Sequence, residues 1–216
     1  MSGVEQTKTG RLILASSSPR RRELLAEAGV DFVCVDPPLP EPADDLLGLH
    51  PAQQAEALSY FKAREISDQH PEDFVLAADT IVAAAGQILG KPCDEADARR
   101  MLCALSGTRH AVITGVTLLA PSARAGDGGS PANSASPAPS RMIASETTYV
   151  TMRKLAASDI DSYIASNEWQ GKAGAYAIQE TGDQYIEMVE GSFSNVVGLP
   201  IELVKRMLDA MKARSR

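Results

Sequence analysis

The stretch RLILASSSPRRRELLAEAG, residues 11–29, decides the fold. A short apolar run from Arg11 to Ala15 leads into the polar turn Ser16-Ser17-Ser18-Pro19. Leu24, Leu25 and Ala28 then recur on one face of a helix, and Gly29 ends it. An apolar run, a tight turn and an amphipathic helix in so few residues open an α/β unit, and a cleft is expected beside it.

The same turn raises a question of charge. Arg20, Arg21 and Arg22 crowd a helix start whose dipole and unsatisfied N–H groups favour anions. A bound phosphate resolves the conflict, because the N–H groups of the Ser16–Ser18 turn and the guanidinium forks of Arg20 and Arg21 converge on its oxygens. Arginines turned into solvent would cost only about 0.3–1 kcal/mol each. The turn alone leaves both readings open.

Outward from this unit, the proline-rich residues 36–42 are a loop, since repeated prolines remove backbone donors. Pro51 to His70 reads as a helix. Phe74 to Ala78 and Ile81 to Ala85 read as strand, interrupted by the polar pair Asp79-Thr80. Gly86-Gln87 suggests a hairpin turn, Asp94 caps a helix reaching Leu105, and His110 to Leu119 is a strand. Glu146 to Arg153 would pair with it antiparallel. Between them, Pro121 to Ser140 is almost all Ala, Ser, Pro and Gly, and is expected to be a mobile low-complexity insertion in a single domain spanning 1–216. Ser158 can cap a helix through Ser166, a strand lies near Gln184 to Val189, and Pro200 opens a closing helix with Ile201, Val204, Leu208 and Met211 on its apolar stripe.

Composition narrows the function classes. The 216 residues are 44% hydrophobic and 23% charged, near globular averages. No apolar run approaches a bilayer span and no secretory signal is evident at the start, so a cytoplasmic protein without membrane partners is expected. A net charge of −7 argues against nucleic acid as partner, so any phosphate site is a local basic pocket. Cys34, Cys93 and Cys103 form no metal-binding pattern and are expected to be reduced packing residues. The scattered His50, His70 and His110 offer no nucleophilic triad, and the lone Trp169 is expected to pack.

Several single residues need a chemical reason. Asp79 stands between apolar runs, where a carboxylate without partners is expensive to bury. It suits a divalent-metal ligand or a general base, unless the strand simply ends before it. Lys62 falls beside the apolar stripe between Leu58 and Ile66, and Lys91 projects from the turn Gly90-Lys91-Pro92. Each alone is as easily a surface charge. Gln179 closes the run Ala175-Tyr176-Ala177-Ile178, where an amide can read a base edge.

Together these segments resemble the Maf family of nucleotide pyrophosphatases. The resemblance rests on Leu14-Ala15-Ser16-Ser17-Ser18-Pro19-Arg20-Arg21, Ala78-Asp79-Thr80, Gly90-Lys91-Pro92, Leu105-Ser106-Gly107, Lys172 to Gln179 and Gly191 to Pro200. It implies an elongated, twisted mixed sheet with flanking helices forming two lobes around a cleft, similar to inosine triphosphate pyrophosphatases. It also implies cleavage of a nucleoside triphosphate to monophosphate and pyrophosphate with magnesium or manganese. A homodimer is compatible with it. By the resemblance, Asp79 is the proton acceptor and, with Glu41, stands near the metal, while Ser16, Arg20, Arg21, Lys62 and Lys91 surround the phosphates. Arg20, Thr80 and Gln179 are the residues of the dTTP/UTP branch, where a 7-methyl-GTP branch has tryptophan, glutamine and glutamate. Pro40-Glu41-Pro42 departs from the family's usual acidic pair, and Phe193 stands where tyrosine is common. The competing readings are a non-catalytic nucleotide-binding regulator of cell division and a 7-methyl-GTP-type enzyme.

Overall fold

A computed structural model describes residues 10–37, 46, 48–122 and 140–214. Glu41 and nearly all of the low-complexity insertion lie outside them.

The opening unit forms as its sequence requires. Strand β1 (Leu12–Ala15) runs into helix α1 (Pro19–Glu27), which has proline in its first turn and Gly29 at φ +72° just past its end. The chain continues through β2 (Val33–Val35), α2 (Pro51–Gln69), β3 (Phe74–Ala84), β4 (Gln87–Leu89) and α3 (Glu95–Leu105). Next come β5 (Arg109–Leu119), β6 (Arg141–Met152), α4 (Ala157–Ala165), β7 (Ile186–Glu190), α5 (Phe193–Val197) and α6 (Ile201–Arg214).

The strands make one mixed sheet in the order β2-β1-β3-β5-β6-β7, with β4 paired to β3. Pairings β2–β1 and β1–β3 are parallel, and the others are antiparallel. The chain leaves β1 for β2 on one side and returns to β3 on the other, so the carboxyl end of β1 is a topological switch point, where open α/β sheets bind ligands.

Two faces of β3 divide the work. Leu76 and Ala78 share a core with Leu25 of α1 and with Val204, Met207 and Met211 of α6. Val75 and Ala77 pack on the other face against Ala63 and Ile66 of α2. A third cluster joins Val82 to α3 and α4, with Leu102, Leu105 and Tyr163 at its centre. No helix among the described residues is long and apolar enough to cross a membrane.

Several expectations are corrected. The strand is not interrupted at Asp79-Thr80: β3 is continuous, with Asp79 opposite Gly115 and Thr80 opposite Thr114 on β5. Antiparallel pairing satisfies the backbone there, so two polar side chains do not end it. Helix α4 starts before Ser158, and the Asp159 carboxylate, not the serine, accepts the Ala156 N–H at 2.8 Å. Strand β6 begins at Arg141, earlier than its alternation announced, because β5 pairs with it over its whole length. The last strand is displaced to Ile186–Glu190 by a 3-10 segment at Glu180–Tyr185. On α6 the expected stripe holds, with Val204 and Met211 buried and Ile201 and Leu208 partly buried against the same core, but Met207, which the stripe left out, is buried too. The three cysteines are free, as expected, but exposed and not packing. Trp169 does pack, its indole N–H donating to Ile164 O at 3.2 Å.

Candidate functional site

On one edge, β3 pairs with β1 as far as Ala77 and with β4 from Val82 onward. Residues 78–81 face a gap in the ladder between them. The gap opens into a cleft of about 810 Å³, and Asp79 and Thr80 line it. Every described candidate from the sequence lines the same cleft: Ser16, Arg20, Arg21, Lys62, Asp79, Thr80, Lys91 and Gln179. They come from the turn after β1, α1, α2, β3, the turn after β4 and the loop before β7.

The phosphate end is the start of α1. Ser18 holds the N-cap position without a side-chain cap bond, and the first turn carries no acidic residue, so an anion suits it. The Ser18 N–H instead donates to Ser16 Oγ at 3.2 Å, and Ser16 is only 4% exposed, tucked under the turn. Arg20 lines the cleft beside it. Arg22, the third cation of the run, is exposed and does not line the cleft.

Arg21 is anchored in the protein. Its Nη1 donates to Ala78 O at 2.7 Å and to Ser16 Oγ at 3.4 Å, its Nε to Gly198 O at 2.8 Å, and its Nη2 to Thr80 Oγ1 at 3.1 Å. Thr80 Oγ1 in turn shares a hydrogen bond with Thr114 Oγ1 at 2.9 Å.

The chemical end is the buried pair of Lys62 and Asp79. Their side chains are 12% and 7% exposed, and Lys62 Nζ lies 2.5 Å from Asp79 Oδ1. The pair forms because α2 lies close on the sheet: Ser59 Oγ and Thr117 Oγ1 are 2.8 Å apart, and Gly115 lets the α2 backbone settle over β5 beside Asp79. Lys62 is thus the expected cation beside the apolar stripe, aimed at a carboxylate.

The opposite wall is a strained turn. Gly174 (φ +70°) and the buried Ala175 (φ +60°) both take left-handed conformations, unusual for alanine. Gly174 N–H donates to Gly90 O at 2.9 Å, tying this wall to the turn that carries Lys91. Ala177 N–H donates to Tyr163 Oη at 3.0 Å, and His110 Nε2 and Tyr176 Oη are 2.8 Å apart. These bonds fix the segment ending at Gln179.

Sequence reasoning gave no role to Lys172, Tyr176 or Glu23, all of which line the cleft. A lysine immediately before a glycine turn was the available signal for Lys172. Nothing local marked the other two.

His110 makes the wall sensitive to acid. Burial pushes its imidazole from the ordinary 6.5 down to about 4. The ring is neutral in both states above pH 6.5, whereas between pH 6.5 and 4 the unfolded chain binds a proton that the folded chain refuses. Stability from this residue is therefore complete above pH 6.5 and lost as pH falls, by at most about 3 kcal/mol. Thermal melts from pH 7 to pH 4 should show Tm falling more steeply for the native protein than for His110→Gln. Parallel curves would refute this.

The Maf-like protein family model matches residues 11–211, from β1 to the last turns of α6. A dTTP/UTP pyrophosphatase of Ruminiclostridium cellulolyticum is 39% identical over 203 residues, 94% of this chain and 97% of that protein. Those of Deinococcus radiodurans and Anaeromyxobacter dehalogenans are 42% and 44% identical over 92% and 88% of this chain, and 91% and 89% of their own lengths. A match spanning every element that builds the cleft leaves one conclusion: this chain belongs to the family of Maf-like proteins.

Proposed function

We propose that the protein hydrolyses nucleoside triphosphates, dTTP and UTP by preference, to nucleoside monophosphate and pyrophosphate. One observation supports this most: a carboxylate, Asp79, stands in a single cleft with Arg20, Lys62, Lys91 and an uncapped helix start. Cations and N–H groups suit the phosphate chain, and a carboxylate among them suits activation of the attacking water. The substrate preference rests on the names of the relatives and on Arg20, Thr80 and Gln179.

Water attacks the α-phosphorus, and the bond to the oxygen bridging the α and β phosphates breaks, releasing pyrophosphate. Asp79 accepts the proton of that water. Arg20, Lys62, Lys91 and the uncapped start of α1 stabilise the charge that develops on the leaving group.

The family's chemistry suggests a divalent cation, and we assign magnesium or manganese. No group of three or more potential metal-ligating side chains occurs among the described residues, but Asp79 alone fits this use. Magnesium is commonly held by one or two carboxylates together with substrate phosphates. Glu41, the second expected ligand, lies outside the described residues. When bound, the cation supplies Lewis-acid stabilisation of phosphate oxygens.

At the base end, the Gln179 amide offers both a donor and an acceptor, which a pyrimidine carbonyl and ring N–H can satisfy together. The net charge of −7 supports a free nucleotide over nucleic acid as partner, and we place the enzyme in the cytoplasm with its substrates.

A panel of triphosphates, with phosphate and pyrophosphate detected separately, tests the reading. dTTP and UTP should give the highest kcat/KM, and Gln179→Glu should cut the preference over purine triphosphates by about tenfold, because a carboxylate lacks the donor. If 7-methyl-GTP is the best substrate, the specificity reading is wrong. Tight nucleotide binding without product under saturating manganese would replace catalysis with a binding role.

A further inference from the structure

Arg21 was expected to grip phosphate, yet its hydrogen bonds serve another purpose. Where β1 ends, β3 loses its partner on that edge after Ala77. The first carbonyl past this point, Ala78 O, accepts from Arg21 Nη1 at 2.7 Å. Two residues on, Thr80 Oγ1 accepts from Nη2 at 3.1 Å. The guanidinium therefore takes the place of the missing strand and clamps the residues on both sides of Asp79.

Both ends of this clamp are anchored. Nε donates to Gly198 O at 2.8 Å, in the turn before α6, and Gly198 has φ +123°, a backbone that rejects side chains. Thr80 Oγ1 meets Thr114 Oγ1 at 2.9 Å, and Thr114 Oγ1 donates to Asn195 O at 3.1 Å. Asn195 is fully buried, its Nδ2 donating to Val112 O and to Thr148 Oγ1, each at 3.0 Å. A chain of hydrogen bonds thus runs from the guanidinium through the sheet to β6. Turning Arg21 toward a phosphate would strip Ala78 O of a charge-assisted bond at an open sheet edge, which is costly.

We propose that Arg21 is a positioning residue, which sets the backbone of Ala78-Asp79-Thr80 so that the Asp79 carboxylate meets the α-phosphate, and that the Thr80 hydroxyl is the joint through which this setting is held. The proposal rests on the functional reading of Asp79 above. It separates the two neighbouring arginines: Arg20 acts on the substrate, Arg21 on the strand.

A phosphate ligand and a positioning residue differ in what they do to binding. Lysine keeps the charge of Arg21 but not its planar fork, so Arg21→Lys cannot reach all these acceptors. For that variant we expect kcat on dTTP to fall a hundredfold or more. KM for dTTP and the inhibition constant of pyrophosphate should stay within threefold of the native values. Thr80→Val should lower kcat about tenfold while the inhibition constant of pyrophosphate, which has no base to be read, stays within threefold of native, and Thr80→Ser, which keeps the hydroxyl, should recover most of that loss. If Arg21→Lys does not fold, judged by its melting curve, the two Thr80 variants decide by the same criteria.

For Arg21→Lys, a rise of tenfold or more in either binding constant overturns the proposal, and so does a kcat within threefold of native for Arg21→Lys or Thr80→Val, or a Thr80→Ser that is no faster than Thr80→Val. Failure of the native protein to release pyrophosphate from any triphosphate would instead sink the functional reading, and this role of Arg21 with it.

Discussion

Asp79→Asn should lose at least about a thousandfold in kcat for pyrophosphate release, the upper range for removal of a general acid–base group, and the protein should still fold. The substitution is nearly isosteric, and the amide oxygen can still accept from Lys62 at the 2.5 Å contact the carboxylate now makes. What disappears is the negative charge. An amide neither accepts a proton from water nor serves as a carboxylate ligand to a hard cation. Because the pair is 12% and 7% exposed, loss of one charge leaves an ammonium in a poorly solvated place, so Tm should fall by several degrees. Without added divalent cation, triphosphate should bind at least as tightly as before, since a negative charge facing the phosphates has gone. Long incubations with coupled pyrophosphate detection measure the residual rate. A rate within tenfold of native would remove Asp79 from the reaction and move the search to Glu23, another carboxylate lining the cleft.

The parts of this site that could be read from sequence were set by near neighbours. The α1 start is an example: Pro19 fixes the first turn, Gly29 supplies the left-handed end, and the clash of three arginines with the helix dipole is visible within a few residues. Lys62 was also legible as an anomaly, because helical spacing placed it beside the apolar stripe between Leu58 and Ile66. Its partner was not, since nothing in the spacing of a helix tells which strand lies beneath it.

Asp79 shows the same limit from the other side. Its polarity suggested a break, but a strand continues wherever its backbone is paired, and that pairing comes from Gly115 and Thr114 on β5. Strand β2 was missed because three half-exposed residues on an edge carry no alternation to detect. Arg21 was read by its charge, yet its geometry is decided by the carbonyls of Ala78 and Gly198, and backbone acceptors leave no mark in a sequence.

Gly115→Ala should be strongly destabilising. A Cβ at Gly115 would lie 2.2 Å from both the carbonyl carbon and oxygen of Ala55, and 2.4 Å from Glu56 N. The obstacle is helix backbone, so no rotamer change relieves it, and α2 must lift off the sheet. That helix covers Val75, Ala77, Ile81 and Ile113 through Ala55, Ala63 and Ile66, so lifting it opens two core clusters together. Overpacking usually costs about 1–3 kcal/mol, and with no flexible neighbour the cost should be about 3 kcal/mol or more, a Tm loss of roughly 6–12 °C in a chain of this size. Gly90→Ala, where an added methyl meets nothing within 4 Å, is the control for melting and should change Tm little. Activity should report the same displacement. Asp79 is the cross-strand partner of Gly115, and Lys62 sits on the displaced helix, so the fraction of Gly115→Ala that folds should turn over dTTP more slowly than native protein. Equal Tm and equal kcat would mean that the α2 backbone does not rest on β5 at Gly115, and the close seat of α2 could then not be what brings Lys62 to Asp79.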